Sequence, residues 1–256
     1  METNFKSLLT QGARCLYIDT ERSFFPGRPY VPGAGELPIP DAEKIIDPIN
    51  SVTGRFGRRI DALLEEHPCR DAAYFASTYC RLGLAKKAYS QHENPADYTL
   101  TLEEFQQWRR GGVQFPFDAD RFERHLHEMG GSIVLWNEHA REGTPGAQMH
   151  PGFTHEPSAL FYRGGTPEVH PIGNMEDAGL IGRYQHDQVP AVFVAGISEN
   201  GVLERTLTEI AGKGIKTFYF VDGIAGVQML KIRQQLQEAG ITGITTKDFI
   251  AQLSQN

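Results

Sequence analysis

The sequence predicts an α/β fold: a doubly wound, mainly parallel six-stranded sheet with helices on both faces, in a single domain over 1–256. Three observations predict it. Short, near-continuous apolar runs such as Ala191 to Gly196 (AVFVAG) and Lys216 to Val221 (KTFYFV) are too brief for buried helices and read as strands covered on both faces. Segments with helical spacing separate these runs, which is the rhythm of a crossover-connected parallel sheet. The 256 residues are 40% hydrophobic and 22% charged, an ordinary composition for a chain that buries a sizeable core.

The elements follow in order. Arg14 to Asp19 (RCLYID) reads as the first strand. Asp41 to His67 carries Ile45, Ile46, Ile49, Ile60, Leu63 and Leu64 at helical spacing and is expected to be helix. Ala72 to Thr78 (AAYFAST) is expected to be the second strand and Ser158 to Tyr162 (SALFY) the third. AVFVAG is the fourth, followed by a helix from about Asn200 to Lys213. KTFYFV is the fifth, followed by a helix from Gly226 to Ala239. Ile241 to Thr245 is a short last strand and Lys247 to Leu253 a last helix. The stretch from 83 to 131 breaks this rhythm and reads as an insertion: a lid, an oligomer contact or a decoration. Within it Thr101-Leu102-Glu103-Glu104 has capping-box form, and Asp118 is placed to cap a helix bearing Phe122, Leu126 and Met129.

Lys plus Arg number 25 and Asp plus Glu 32, for a net charge of −7. That balance disfavours nucleic-acid and anionic-membrane partners, which require a basic stripe. Cys15, Cys69 and Cys80 have neither paired nor metal-type spacing, so a reducing compartment is expected. No targeting or spanning segment is read, and the default location is cytoplasmic.

In a sheet of this kind ligands sit beyond the carboxyl ends of the strands. That directs attention to Asp19, to Tyr79 through Arg81, to Arg163 and to the turn after Gly196. The segment Leu16-Tyr17-Ile18-Asp19-Thr20-Glu21-Arg22-Ser23-Phe24-Phe25-Pro26-Gly27 resembles the opening of the isochorismatase-like superfamily, whose nicotinamidases begin with a strand, Asp-x-Gln and a Phe-x-Pro-Gly turn. Leu37-Pro38-Ile39-Pro40 and Asp47-Pro48-Ile49-Asn50 resemble the next family stretch. Trp136-Asn137-Glu138-His139 with Gly143-Thr144-Pro145-Gly146-Ala147 resembles "W-P-x-H … T-P-G-A". Phe193 to Ile197 resembles the strand before the nucleophile, and Val221-Asp222-Gly223-Ile224-Ala225-Gly226 the "D-A-x-x-G" that follows the fifth strand.

The resemblance implies a triad of Asp, Lys and Cys, and this chain departs from it. The Asp falls on Asp19. The Lys of "K-G-T" falls on Arg163, in Arg163-Gly164-Gly165-Thr166. An ungapped register from Gly196 puts Ser198 on the family's Ala, Asn200 on its acidic residue and Val202 on its Cys, with Thr206 on the family's Thr. Valine has no nucleophilic atom, and an arginine holds charge but shuttles no proton. Of the family's Asp/His/His metal site, His139 matches one residual position. The other two are placed at about Tyr79 and Arg81, so no metal and no other cofactor is expected.

Asp19 reads equally as an acid at work and as half of an ion pair. Arg163 either grips an anionic ligand or neutralises Asp19 and Glu21. Phe24 and Trp136 form an aromatic wall for a planar ligand or pack in the core. Cys80 is expected to be a small apolar filler rather than a relocated nucleophile. Ser198 and Val202 offer backbone N–H groups at a helix start, which the resemblance makes an oxyanion hole. Two functions follow, ahead of a third that ranks last, an amidohydrolase in which Cys80 or another residue attacks. One is a catalytically defective family member, a pseudoenzyme that binds or regulates. The alternative is a non-cysteine hydrolase that cleaves an isochorismate-type vinyl ether with Asp19 as general acid. A small planar or carboxylate ligand is the expected partner, a second copy of the chain the other.

Overall fold

The computed structural model describes residues 4–26, 36–68, 72–88, 95–169, 178–198, 202–226 and 229–254; Cys69 and Asn200 lie outside them. In chain order the elements are α1 (Phe5–Thr10), β1 (Arg14–Ile18), α2 (Ile46–Thr53), β2 (Ile60–Glu65), α3 (Ala76–Arg81), α4 (Pro95–Tyr98), β3 (Thr99–Thr101), α5 (Leu102–Arg110), α6 (Ala119–Glu128), β4 (Ser132–Val134), β5 (Ala159–Arg163), α7 (Leu180–His186), β6 (Ala191–Ser198), α8 (Val202–Gly212), β7 (Lys216–Gly226), α9 (Met229–Glu238), β8 (Thr242–Ile244) and α10 (Thr246–Ser254). Three short 3₁₀ segments, Arg22–Phe24, Ala42–Ile45 and Pro145–Ala147, complete the described elements, and the alternation of strands and helices departs from the expected one between 41 and 78.

Six strands form one sheet in the order β5-β2-β1-β6-β7-β8, and every pairing in it is parallel. The chain winds outward from β1 in both directions, so the switch point falls between β1 and β6. Their carboxyl ends are adjacent, with Ile18 opposite Gly196. One sheet face is covered by α1, α2 and α10 through Phe5, Ile49, Val52 and Phe249, packed on Phe193 and Phe218. The other is covered by α7, α8 and α9 through Leu180, Tyr184, Leu203, Leu207, Ile210 and Leu236. Burial of each such side chain contributes about 1.5–3 kcal/mol.

Gly196 is required where it stands. Its φ is +136°, and a Cβ there would lie 2.0 Å from the Ile18 carbonyl oxygen. The close approach of β1 and β6 at the switch point therefore needs glycine. At the other end of the strands a buried polar knot fixes the register. Arg14 pairs with Asp61, which also accepts from the Tyr184 hydroxyl at 3.1 Å, and Arg14 Nη2 reaches Ser158 Oγ at 3.1 Å.

Two expectations are corrected. The second strand of the sheet is β2, inside the segment expected to be one long helix. Ile60, Leu63 and Leu64 fit helical spacing, but the whole of β2 is buried between β1 and β5, where both strand faces are apolar. The expected strand Ala72 to Thr78 is a turn followed by α3. Its Thr78 hydroxyl donates back to Ala72 O at 2.8 Å, and only Phe75 bridges to Trp136.

The irregular stretch forms a unit with its own core. β3 and β4 pair antiparallel, and Phe105, Phe122, Leu126 and Ile133 pack with Tyr74, Phe75 and Tyr79. β4 closes this unit at Val134. Both helix caps are as expected: Thr101 and Glu104 make a reciprocal capping box, and Asp118 Oδ1 accepts from the Asp120 and Arg121 amides. Lys86, buried, donates to Glu104 at 2.8 Å and ties the segment before α4 to α5. Among the described residues no helix is long and apolar enough to cross a membrane.

Candidate functional site

The carboxyl ends of β1, β2 and β5 bring three charged side chains together. Asp19 follows β1 and is fully buried, in the left-handed region at φ 52°. A non-glycine residue there costs on the order of 1 kcal/mol, and such residues gather at functional positions. Its amide donates to Leu63 O at 3.0 Å, which fixes the turn out of the strand. Arg163 ends β5 and reaches across β2 to grip Asp19 with two hydrogen bonds, Nε to Oδ1 at 3.2 Å and Nη2 to Oδ2 at 2.6 Å. Glu65, the last residue of β2, lies between them, its Oε2 3.6 Å from Arg163 Nη2. Glu21 accepts from the Glu65 amide.

Glu65 is also one corner of a second cluster. His67 Nε2 lies 3.3 Å from Glu65 Oε1, His139 Nε2 lies 3.4 Å from Glu65 Oε2, and the two Nε2 atoms are 3.4 Å apart. All three residues are buried, with their ligand-capable atoms within 4.8 Å of one another. The far side of each ring is held. His139 Nδ1 donates to Asn137 O at 2.6 Å, so its Nε2 carries the lone pair. His67 Nδ1 meets the Tyr74 hydroxyl at 2.6 Å, and that hydroxyl lies 3.3 Å from Gly164 O. A carboxylate and two imidazole nitrogens, oriented from behind by hydrogen bonds, make a donor set that suits zinc or iron.

Burial shapes the titration. Desolvation raises the Asp19 carboxyl to about 6, against the opposing pull of Arg163 and with Glu65 adding to the rise. Desolvation, then the neighbouring Asp19, holds Glu21 well above the usual carboxylate range. Glu65 goes the other way. Burial penalises its charge, but Arg163, His67 and His139 together hold it well below the ordinary value. Burial lowers His67, which favours the neutral ring that a metal requires. Thr20 Oγ1, Glu21 Oε2 and Arg163 Nη1 are buried with no hydrogen-bond partner among the described residues. Polar atoms so placed are those a bound ligand, ion or water would satisfy.

The residues singled out by sequence are placed as follows. Asp19 and Arg163 come into direct contact. Ser198 is the last residue of β6, and Val202, buried, is the first of α8. Val202 packs in the core face with Leu203 and Leu207, and its carbonyl accepts from the Thr206 hydroxyl at 2.8 Å. Phe24 and Trp136 are buried in the same cluster, with the Phe24 ring 5.6 Å from that of His139. Cys80 is exposed rather than a buried filler, its thiol donating to Lys86 O.

The expected ligand register is corrected. Tyr79 donates to Ala73 O within the cluster that holds Phe105 and Phe122, and Arg81 pairs with Glu138. The residues facing His139 are Glu65 and His67, so the site holds three donors rather than one. The signal was in the chain: Glu65-Glu66-His67-Pro68 sets a carboxylate and a histidine two residues apart at the end of the true second strand. Reading 41–67 as helix hid it.

No family model matches the chain. No curated protein matches it either. Solved structures do. A nicotinamidase/pyrazinamidase from Acinetobacter baumanii is 19% identical, with a TM-score of 0.63 over 93% of this chain and 98% of that one. The yeast nicotinamidase bound to nicotinaldehyde is 17% identical, with a TM-score of 0.62 over 91% and 99%. The pyrazinamidase of Pyrococcus horikoshii in complex with zinc is 17% identical, with a TM-score of 0.59 over 91% and 99%. At these identities the likeness is one of architecture: this chain has the fold of the nicotinamidases and isochorismatase-like hydrolases.

Proposed function

We propose that this chain keeps the nicotinamidase fold and a metal-binding pocket but not the fold's covalent chemistry, and that it serves as a binding or regulatory protein, a pseudoenzyme, for a small planar or carboxylate ligand. The observation that carries the reading is the two-bond pairing of Asp19 with Arg163, together with a valine, Val202, as the first residue of α8. Thiol-based deamidation needs a nucleophile at that helix start and an acid free to move its proton. Valine supplies no such atom. A carboxylate held in a bidentate grip by a permanently charged guanidinium is a poor base.

Glu65, His67 and His139 would hold a divalent transition ion, and the zinc of the Pyrococcus enzyme makes zinc the first ion to try. Such an ion polarises a carbonyl or balances a carboxylate. Arg163 Nη1 offers a further donor toward an anionic group, and Phe24 and Trp136 supply aromatic surface for a planar one. Backbone N–H groups at the start of α8 would suit an oxyanion.

The test is ammonia release from nicotinamide by the zinc-loaded protein, with Val202→Cys and the double variant Val202→Cys, Arg163→Lys beside it. No turnover above background is expected from the unmodified chain. Nucleophile-less sites of this kind retain on the order of 10³–10⁴-fold over water, far below a working enzyme. Robust turnover by the unmodified chain overturns the reading. A second reading, cleavage of an isochorismate-type vinyl ether with Asp19 as general acid, is favoured by the rise of that carboxyl to about 6, which brings its protonated form within reach in mildly acidic solution. Vinyl-ether cleavage lost in Asp19→Asn would replace the first reading with the second.

A further inference from the structure

A cavity of about 410 Å³ opens beside the edge strand β5, on the sheet face away from Arg163. Strand alternation separates the two. Leu160 and Tyr162 pair with Ala62 and Leu64 of β2 and share their face, whereas Phe161 and Arg163 share the other. None of Asp19, Glu65, His67, His139 and Arg163 lines the cavity.

Its walls have a definite chemistry. Leu64, Leu160 and Met149 are apolar, Tyr162 is aromatic, and Glu66 and Glu156 are acidic; none of the described lining residues is Lys, Arg or His. Leu160 and Tyr162 are 48% and 43% exposed, the large hydrophobic side chains left open among the described residues. Glu142 stands beside this face, its amide bonded to His67 O, and no ion pair reaches Glu66, Glu142 or Glu156 among the described residues. A volume of this size with a mostly apolar wall and a few polar groups is that of a small-molecule site. A second copy of the chain is a poor occupant: a two-fold contact here would set Glu66, Glu142 and Glu156 against the same carboxylates.

We propose that this cavity binds a small organic ammonium ion with an aromatic or branched aliphatic body, its charge facing Glu66 and Glu156 and its body against Leu64, Leu160 and Tyr162. Tyr162 adds a ring face on which a cation is favoured. The site is independent of the ligand proposed for the Asp19 pocket.

Isothermal titration of the full chain at pH 7.5 with benzylammonium, benzyl alcohol and phenylacetate tests the inference. Benzylammonium is expected to bind with one-to-one stoichiometry, at least about tenfold more tightly than benzyl alcohol, as charge-assisted contacts predict. Phenylacetate is expected not to bind, and added salt to weaken the ammonium. The double variant Glu66→Gln, Glu156→Gln is expected to lose about tenfold in affinity with an unchanged melting temperature. Binding retained in His139→Ala would confirm that this is not the metal pocket. No heat with benzylammonium, equal binding of benzyl alcohol, or an unaffected double variant overturns the proposal. So does a dimer in light scattering that Leu160→Glu dissociates, which would make the face a protein interface.

Discussion

Arg163 and Asp19, 144 residues apart in sequence, close on each other through two hydrogen bonds of 3.2 and 2.6 Å inside a site that excludes solvent. A buried pair of this kind is a weak source of net stability but a costly thing to break. Arg163→Met is expected to destabilise the fold by about 3–5 kcal/mol, because Asp19 is left without its counter-charge. Adding Asp19→Asn should recover much of that loss, since the orphaned charge is then removed. Urea unfolding of the two single variants and the double variant measures the coupling, and additive losses would show that the two side chains act independently.

Glu21 should govern how stability varies with pH. Its folded carboxyl lies well above the ordinary range because of burial and then Asp19. The native state therefore holds a proton that the unfolded chain has already released, and stability falls as pH rises from the unfolded value through the folded one. Asp19 acts in the same direction between its ordinary value and about 6. His67, lowered by burial, acts oppositely: stability is lost as pH falls below its unfolded value. Glu21→Gln removes the Glu21 contribution while keeping an oxygen to accept from the Glu65 amide. It is expected to stabilise the protein more at pH 8 than at pH 5, read from urea midpoints at both.

The two glycines Gly196 and Gly182 should respond in opposite ways to alanine. At Gly196 the added carbon meets the Ile18 carbonyl at 2.0 Å under a φ of +136°. Separating β1 from β6 to make room would cost several kcal/mol, at the top of the range for single substitutions. Gly182 lies inside α7 with nothing within 4 Å of the added carbon. Gly182→Ala is expected to gain about 0.5–1 kcal/mol from backbone entropy and helix propensity. Thermal unfolding of both variants decides.

Where the chain shows one structure through its local pattern, the sequence is readable. AVFVAG and the Phe218 to Val221 part of KTFYFV are near-continuous apolar runs, and they lie in the sheet within β6 and β7. Thr101 with Glu104, and Asp118, announce their helices through caps that need only three or four neighbours. Ile60 to Glu65 was hidden because a strand buried on both faces has no alternation, so its apolar spacing matches a helix equally well. Ala72 to Thr78 misled for the converse reason: Tyr74 and Phe75 are buried in a separate cluster with Phe105, Phe122 and Leu126 rather than in the sheet. Asp19 and Arg163 were each legible as residues at strand carboxyl ends, but their pairing was not, since no local rule links positions 144 apart. Once β2 was misplaced, the carboxylate-x-His motif that follows it went unread, and with it two of the three donors around His139. The left-handed backbone of Asp19 had no sequence signal at all, because aspartate there is a consequence of the turn rather than its cause.

The metal pocket leads to the last prediction, which concerns a residue that touches no metal. Tyr74 Oη sits 2.6 Å from His67 Nδ1 and 3.3 Å from Gly164 O, so it links the ring to the backbone just past β5. The hydroxyl donates to Gly164 O and accepts from Nδ1, which leaves the Nε2 lone pair facing Glu65 and His139. In Tyr74→Phe the ring keeps its packing but loses this bond, and His67 is free to take the other tautomer. Supporting hydrogen bonds of this kind are worth about 10–100-fold in metal affinity. Zinc affinity, measured by competition with a chromophoric chelator at pH 7.5, is expected to fall within that range in Tyr74→Phe and to vanish in His67→Ala. Removing a buried hydroxyl also costs about 1–3 kcal/mol of stability, so unfolding alone does not separate a positioning role from a packing one. Affinity does. If Tyr74→Phe loses stability but binds zinc as tightly as the unmodified chain, the hydroxyl serves the fold and His67 is oriented by Glu65 and His139 alone.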